Sequence, residues 1–239
     1  MKTIVVHPFL IVLLLLIFTI SCKKDLVNDS NTIINTDGKS GTLKDIEGNA
    51  YKIVKIGNQW WMGENLKTTK FRDGTSIPNV TDKTWGSITT GAYCDYDNTP
   101  SNSDTYGRLY NWYSVTNALN ISPKGWHIPS NAEWSELSDY LGNGNMVGEK
   151  LKEKGIIHWE SPNDKATNEV GFTALPGGVR NFYKNNFQYK GQIGEWWTST
   201  EFATDSDNAY TREISIMFGY IGAGTYYKVA GSSVRCVKD

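Results

Sequence analysis

The sequence predicts an α+β domain, irregular and loop-rich, with two main helices packed on small antiparallel sheets. Three observations predict it. Ser130 to Leu141 carries helical spacing with its own start and stop signals. Segments 42–62 and 195–237 alternate like strands and are broken by Gly and Asn/Asp turns. Nine Trp and thirteen Tyr stand among 23 Gly, a composition that suits a core filled by a few large side chains between many turns. The chain of 239 residues shows no internal repeat and no second domain boundary.

Taken in order, the chain opens with Lys2 and an almost wholly apolar run from Pro8 to Ile20. That run is shorter than the roughly 20 residues a spanning helix needs, so residues 1–21 are expected to be a signal peptide. Thr19-Ile20-Ser21-Cys22, followed at once by Lys23-Lys24-Asp25, resembles the bacterial lipobox. Cys22 is therefore the expected lipidation site and the membrane anchor. Residues 22–40 read as the lipidated cysteine and a flexible tether, because Asp25 to Lys39 is polar with little apolar periodicity. The folded unit is expected over 41–239.

Ala50 to Ile56 and Gln59 to Met62 read as a hairpin joined by Gly57-Asn58. Phe71 to Trp85 reads as irregular, and the Ser/Asn/Asp stretch after Cys94 as a loop. Leu109, Trp112, Tyr113, Thr116 and Leu119 share a helical face and predict the first helix from Arg108. The second is marked by Ser130 three residues before Glu133, the capping-box spacing, then by Trp134, Leu137, Ser138 and Leu141, with Gly142 as stop. A short charged helix is expected from Val147 to Lys154. Pro176-Gly177-Gly178 breaks an extended piece over Phe172 to Arg180. Glu195 to Thr200, Ala209 to Met217, Tyr226 to Val229 and Ser233 to Val237 read as an antiparallel meander.

A formal net charge of -1 and the absence of any long Lys/Arg run exclude nucleic-acid binding driven by counterion release. Six stretches then occur in a recognisable order: Trp60-Trp61-Met62-x-Glu64-Asn65-Leu66, Asp73-Gly74-Thr75-x-Ile77-Pro78, Tyr106 to Trp112, Gly125-Trp126-His127-Ile128-Pro129, Leu175-Pro176-Gly177-Gly178 and Ser233-Val234-Arg235-Cys236-Val237. Together they resemble the Fibrobacter succinogenes major paralogous domain, found in exported bacterial proteins. That family is distantly similar to the formylglycine-generating-enzyme/C-type-lectin-like group. The resemblance implies export and a lectin-like arrangement of helices on small sheets, and it brings no established activity.

Cys94 and Cys236 are the thiols left after lipidation, in a compartment that permits disulfides, and a bridge between them is expected. In the chain-entropy model it would contribute roughly 4–5 kcal/mol. Thiol catalysis is disfavoured, since formylglycine-generating enzymes use two close cysteines and none stands near Cys236. His127 reads as a hydrogen-bonded structural residue, and Glu64, Glu133 and Glu195 as caps or hydrogen-bond partners rather than acid–base pairs. His127 and His158 lack zinc spacing. The loops with Asp95, Asp97, Asn98, Asn102 and Asp104, and with Asp205, Asp207 and Asn208, offer oxygens for calcium, against a preferred reading as turns.

Aromatic residues supply the remaining candidate. Tyr183, Phe187 and Tyr189 in the Asn181 to Gln192 loop, with Trp196 and Trp197, are the candidate ligand-binding residues, against a preferred reading in which the aromatics fill an irregular core. Adjacent strand residues face opposite sides, so one Trp of each pair is expected in the core and the other outside. The leading functional expectation is a lipid-anchored envelope or surface protein, at the outer membrane or cell surface. It would carry a non-catalytic recognition or structural domain and bind glycan or a surface protein. The alternative is an enzyme on a formylglycine-generating-type scaffold.

Overall fold

The computed structural model describes residues 26–29, 31–183 and 186–239, with side chains from residue 31 onward. The expected signal peptide and Cys22 lie outside the described residues. The strands begin with β1 (Leu26–Asp29), β2 (Thr32–Ile34), β3 (Ser40–Lys44), β4 (Ala50–Ile56) and β5 (Gln59–Met62). Short elements follow: β6 (Tyr93–Cys94), α1 (Pro100–Tyr106), β7 (Leu109–Tyr110), α2 (Trp112–Val115) and β8 (Trp126–His127). Then come α3 (Asn131–Tyr140), α4 (Val147–Leu151), β9 (Val179–Arg180) and β10 (Phe187–Gln188). The chain finishes with β11 (Ile193–Glu201), β12 (Asn208–Ser215), β13 (Gly222–Tyr227) and β14 (Val237–Lys238).

The architecture is α+β. A seven-stranded sheet runs β1-β2-β3-β4-β5-β14-β8, a three-stranded sheet runs β11-β12-β13, and two-stranded ladders join β6 to β7 and β9 to β10. The β4–β5 hairpin forms as its sequence predicts. Gly57 takes φ 60 at the first loop position and Ile56 pairs Gln59, the geometry of a tight hairpin with glycine first. Helix α3 carries the complete capping box. The Glu133 N–H donates to Ser130 Oγ at 3.2 Å, and the Ser130 N–H donates to Glu133 Oε2 at 2.7 Å. Trp134, Leu137 and Leu141 are buried, as their spacing requires.

Four expectations are corrected. Residues 26–40 are not a tether up to the domain edge: β1 and β2 extend the large sheet, and Thr32 and Ile34 are buried in it. The helix expected from Arg108 shrinks to the single turn of α2, because Leu109 and Tyr110 pair with Cys94 and Tyr93 as strand. Asn111 starts that turn anew, its side chain accepting from the Ser114 N–H. A helix forms instead over Pro100–Tyr106, with proline at its start, where a loop was expected. The Cys94–Cys236 bridge is absent: both are free thiols, buried in different apolar clusters, with Trp85 and Leu109 around one and Met62 and Val234 around the other. Burial pushes each thiol up to about 12.

Strand β11 lies between the two larger clusters. Trp196 packs with Trp61, Trp134 and Phe172 on one side, while Trp197 enters the cluster of Tyr110, Trp126 and Val234 on the other. Both indoles are fully buried, so the alternation rule holds for direction but not for exposure. Asn65 ties this core together. Its Oδ1 accepts from Trp196 Nε1 at 2.8 Å and from Arg235 Nε at 2.8 Å. Its Nδ2 donates to the Tyr106 carbonyl at 2.8 Å and to Ser233 Oγ at 3.3 Å. Arg235 also donates to the carbonyls of Phe172 and Thr173 and lies 4.1 Å from the Phe172 ring centroid. Burial lowers its pKa to about 9.

Candidate functional site

One face of the three-stranded sheet runs from the core at Trp197 to a groove at Glu195 and Glu213. Antiparallel register sets Glu195 opposite Glu213, and Glu213 opposite Gly222; in the next row Trp197, Thr211 and Gly224 align. Residues in one cross-strand row project to the same side. Because Gly222 and Gly224 carry no side chains, β13 leaves a bare floor beside Glu213 and Thr211. A cavity of about 300 Å³ lies there, lined by Glu195, Thr211, Glu213, Phe218 and Tyr220 among others.

Aromatic rings bound this groove. Phe218 and Tyr220 stack with centroids 4.8 Å apart and planes 12° from parallel. At the other end Tyr226 packs 6.4 Å from Trp197 and accepts on its phenol oxygen from Asn181 Nδ2 at 3.5 Å. Burial first, then the nearby Glu195 charge, pushes the Tyr226 phenol up to about 12. Ser232 Oγ donates to Glu195 Oε1 at 2.6 Å. Burial drives the Glu195 carboxyl up to about 7; the Ser232 bond offsets part of this and the Glu213 charge adds to it. Burial raises Glu213 as well. Burial favours the protonated form of both carboxyls, so the pair can donate as well as accept, a combination that suits ligand hydroxyl groups.

The sequence-predicted residues divide. Tyr183 is 82% exposed, with its ring 6.4 Å from Phe182, which in turn lies 4.1 Å from Tyr227 of β13. Tyr189 is half-exposed, and its phenol bears on the titration of Tyr226 at the groove's end. Phe187 turns inward, between Tyr96 at 5.2 Å and the Arg180 guanidinium at 5.2 Å. Trp196 and Trp197 are core residues and offer no binding surface. Sequence reasoning missed the Glu195–Glu213 pair. The Asp/Asn turn between them was visible, but a register shift between Trp197 and Glu201 hides which residues face each other.

The other candidates serve the fold. His127 bridges Asp239 and Glu133, each at 2.7 Å, and so joins the helix cap to residue 239. Glu64 accepts from the Lys52 N–H at 2.9 Å. Asp95 is engaged by Ser103 and Arg108, and Asp205 accepts from the Asp207 N–H and the Asn208 amide. Among the described residues no group of three or more His, Cys, Asp or Glu side chains is placed to hold a metal ion. No helix among them is long and apolar enough to cross a membrane.

The profile of the Fibrobacter succinogenes major domain matches residues 54–238. The chain belongs to that family. No curated protein and no solved structure matches it. Within this Fibrobacter succinogenes major domain, three of the six stretches that carry the family resemblance meet at the Asn65 network. Asn65, Tyr106, Ser233 and Arg235 come from three of them, and Gly178 of a fourth has φ 66 with Gln188 O 2.4 Å from where a Cβ would stand. They build the core; the groove's carboxylates lie outside them.

Proposed function

We propose that this protein is a lipid-anchored envelope protein whose domain recognises glycan through the groove on β11–β13. The observation that carries the reading is the bare strip at Gly222 and Gly224, set between a carboxyl pair and stacked aromatic rings. Sugar rings take that combination well: C–H faces pack on aromatic rings and hydroxyls bond to carboxylates. The lectin-like reading of the fold belongs to this proposal and is supported by an irregular α+β core with long loops. Anchoring through Cys22 rests on the lipobox-like sequence, and an inhibitor of lipoprotein signal peptidase should leave unprocessed precursor.

A glycan array with a polysaccharide pull-down tests the recognition. Gly222→Val and Gly224→Val fill the floor, where an added Cβ meets atoms no closer than 3.5 Å. Both variants should fold normally and lose binding; retained binding would place recognition elsewhere. One observation favours a second reading, acid–base catalysis: a carboxyl titrating near 7 beside a second carboxylate. Turnover lost in Glu213→Gln with binding intact would select it. Thiol catalysis is disfavoured by the burial and raised pKa of Cys236.

A further inference from the structure

On the other side of Phe218 lies a second cavity, of about 330 Å³, between α4, the loop over residues 162–165 and residues 216–219. Its floor is an ion pair. Lys152 Nζ stands 2.9 Å from Glu149 Oε1, with side chains only 2% and 9% exposed. The same ammonium donates to the Ser215 carbonyl at 3.4 Å and lies 5.3 Å from the Trp159 ring centroid. Lys152 is thus largely engaged by the protein.

Two acceptors of residues that line the cavity are not. Glu149 Oε2 and Asn163 Oδ1 are buried without a hydrogen-bond partner among the described residues. The Asn163 amide cannot turn to relieve this, because its Nδ2 already donates to the Glu153 carbonyl at 2.8 Å and the Gly155 carbonyl at 2.6 Å. Unpaired buried acceptors are costly and call for a donor. The cavity exceeds by far the roughly 30 Å³ share of one water and falls in the range of small-ligand sites.

Charge selects the donor. Lys152 already neutralises Glu149, and Asp164 and Lys165 of the lining offset each other, so an incoming cation would sit beside an ammonium group and an anion would meet two acceptor oxygens. Neutral hydroxyls avoid both conflicts. Half-exposed Met146, exposed Met217 and Phe218 supply an apolar rim for the C–H face of a ring. We infer that this cavity is a subsite for one neutral sugar residue, with adjacent hydroxyls donating to Glu149 Oε2 and Asn163 Oδ1. Phe218 lines both this cavity and the groove. The inference deepens the glycan reading and rests on it.

The test is amide and indole NMR of the full chain titrated with methyl glycosides of glucose, galactose, mannose and xylose. Glucosamine and glucuronate serve as charged probes. The Trp159 indole and Asn163 amide report this cavity; the Gly222 and Gly224 amides report the groove. At least one neutral glycoside should shift the first pair saturably, and the charged sugars should bind about 10-fold more weakly or worse. Met146→Trp blocks the mouth without touching the ion pair and should weaken binding by about 10-fold or more. Silence at Trp159 and Asn163, preference for a charged probe, or indifference to Met146→Trp overturns the subsite. Shifts confined to Gly222 and Gly224 overturn the subsite and leave the groove standing. Shifts confined to Trp159 and Asn163 uphold the subsite and overturn the groove, and silence at all four rejects both.

Discussion

Asn65 and Glu195 are both polar groups set into an aromatic-rich domain, yet their surroundings differ in kind. Every hydrogen-bonding position of the Asn65 amide is met by protein: an indole, a guanidinium, a carbonyl and a hydroxyl. Glu195 receives one bond from Ser232 and otherwise faces a groove and another carboxylate. The first arrangement locks segments together. The second leaves capacity for something else and sacrifices stability to keep it. Asn65, Tyr106, Ser233 and Arg235 of the family stretches sit in the first region and the carboxylates of the second lie outside those stretches, so membership speaks for architecture.

The contrast can be broken by experiment, and the largest effect should come from the locked side. Arg235→Ala strands the Asn65 oxygen and the Phe172 and Thr173 carbonyls, and opens a cavity beside Trp196; it should cost about 3–5 kcal/mol in urea unfolding. A loss below about 1 kcal/mol would mean the network is not what holds the core.

Glu195→Gln should act in the opposite direction. The folded carboxyl keeps its proton up to about 7, whereas the unfolded one releases it near 4.5. Between those values the native state binds more protons, so wild-type stability falls as pH rises through that window. The variant should lack that fall and melt on the order of 5 °C higher at pH 8. Equal melting curves at pH 8 would show that Glu195 carries no strain.

A smaller change is expected at His127. Burial disfavours its charged form, but the bonds to Asp239 and Glu133 outweigh this and raise its pKa above 6.5. Its contribution is therefore full below the ordinary histidine pKa and lost as pH rises through the folded value. His127→Gln should flatten that upper part of the profile, with a shift of roughly 1–2 °C in melting temperature. Smallest of all should be Gly222→Val, with melting within about 2 °C of wild type by scanning calorimetry. A large drop there would erase the distinction between the two regions.

What the sequence disclosed follows the same divide. Helix α3 was legible because Ser130, Glu133, Trp134, Leu137 and Gly142 act within a few residues of one another, and Gly57-Asn58 did the same for its hairpin. Leu109 to Leu119 misled because helical spacing survives when tertiary pairing overrides it: Tyr110 bonds to Ser232 and Thr68, far away in the chain. The short strands at Thr32–Ile34 gave too few apolar residues to register against their polar neighbours. Trp196 and Trp197 were placed correctly on a strand, but that this strand is covered on both faces depends on where the rest of the fold lies. The carboxylate pair depended on a shifted register, and the Glu149–Asn163 floor on three segments meeting. Neither leaves a local trace.

Strand β14 slots between β5 and β8, whose residues are synthesised long before it. Until residues 237 and 238 emerge, β8 has no rung to the five strands β1 to β5. β8 therefore joins the sheet only once residues 237 and 238 have left the ribosome, because its rungs are to β14.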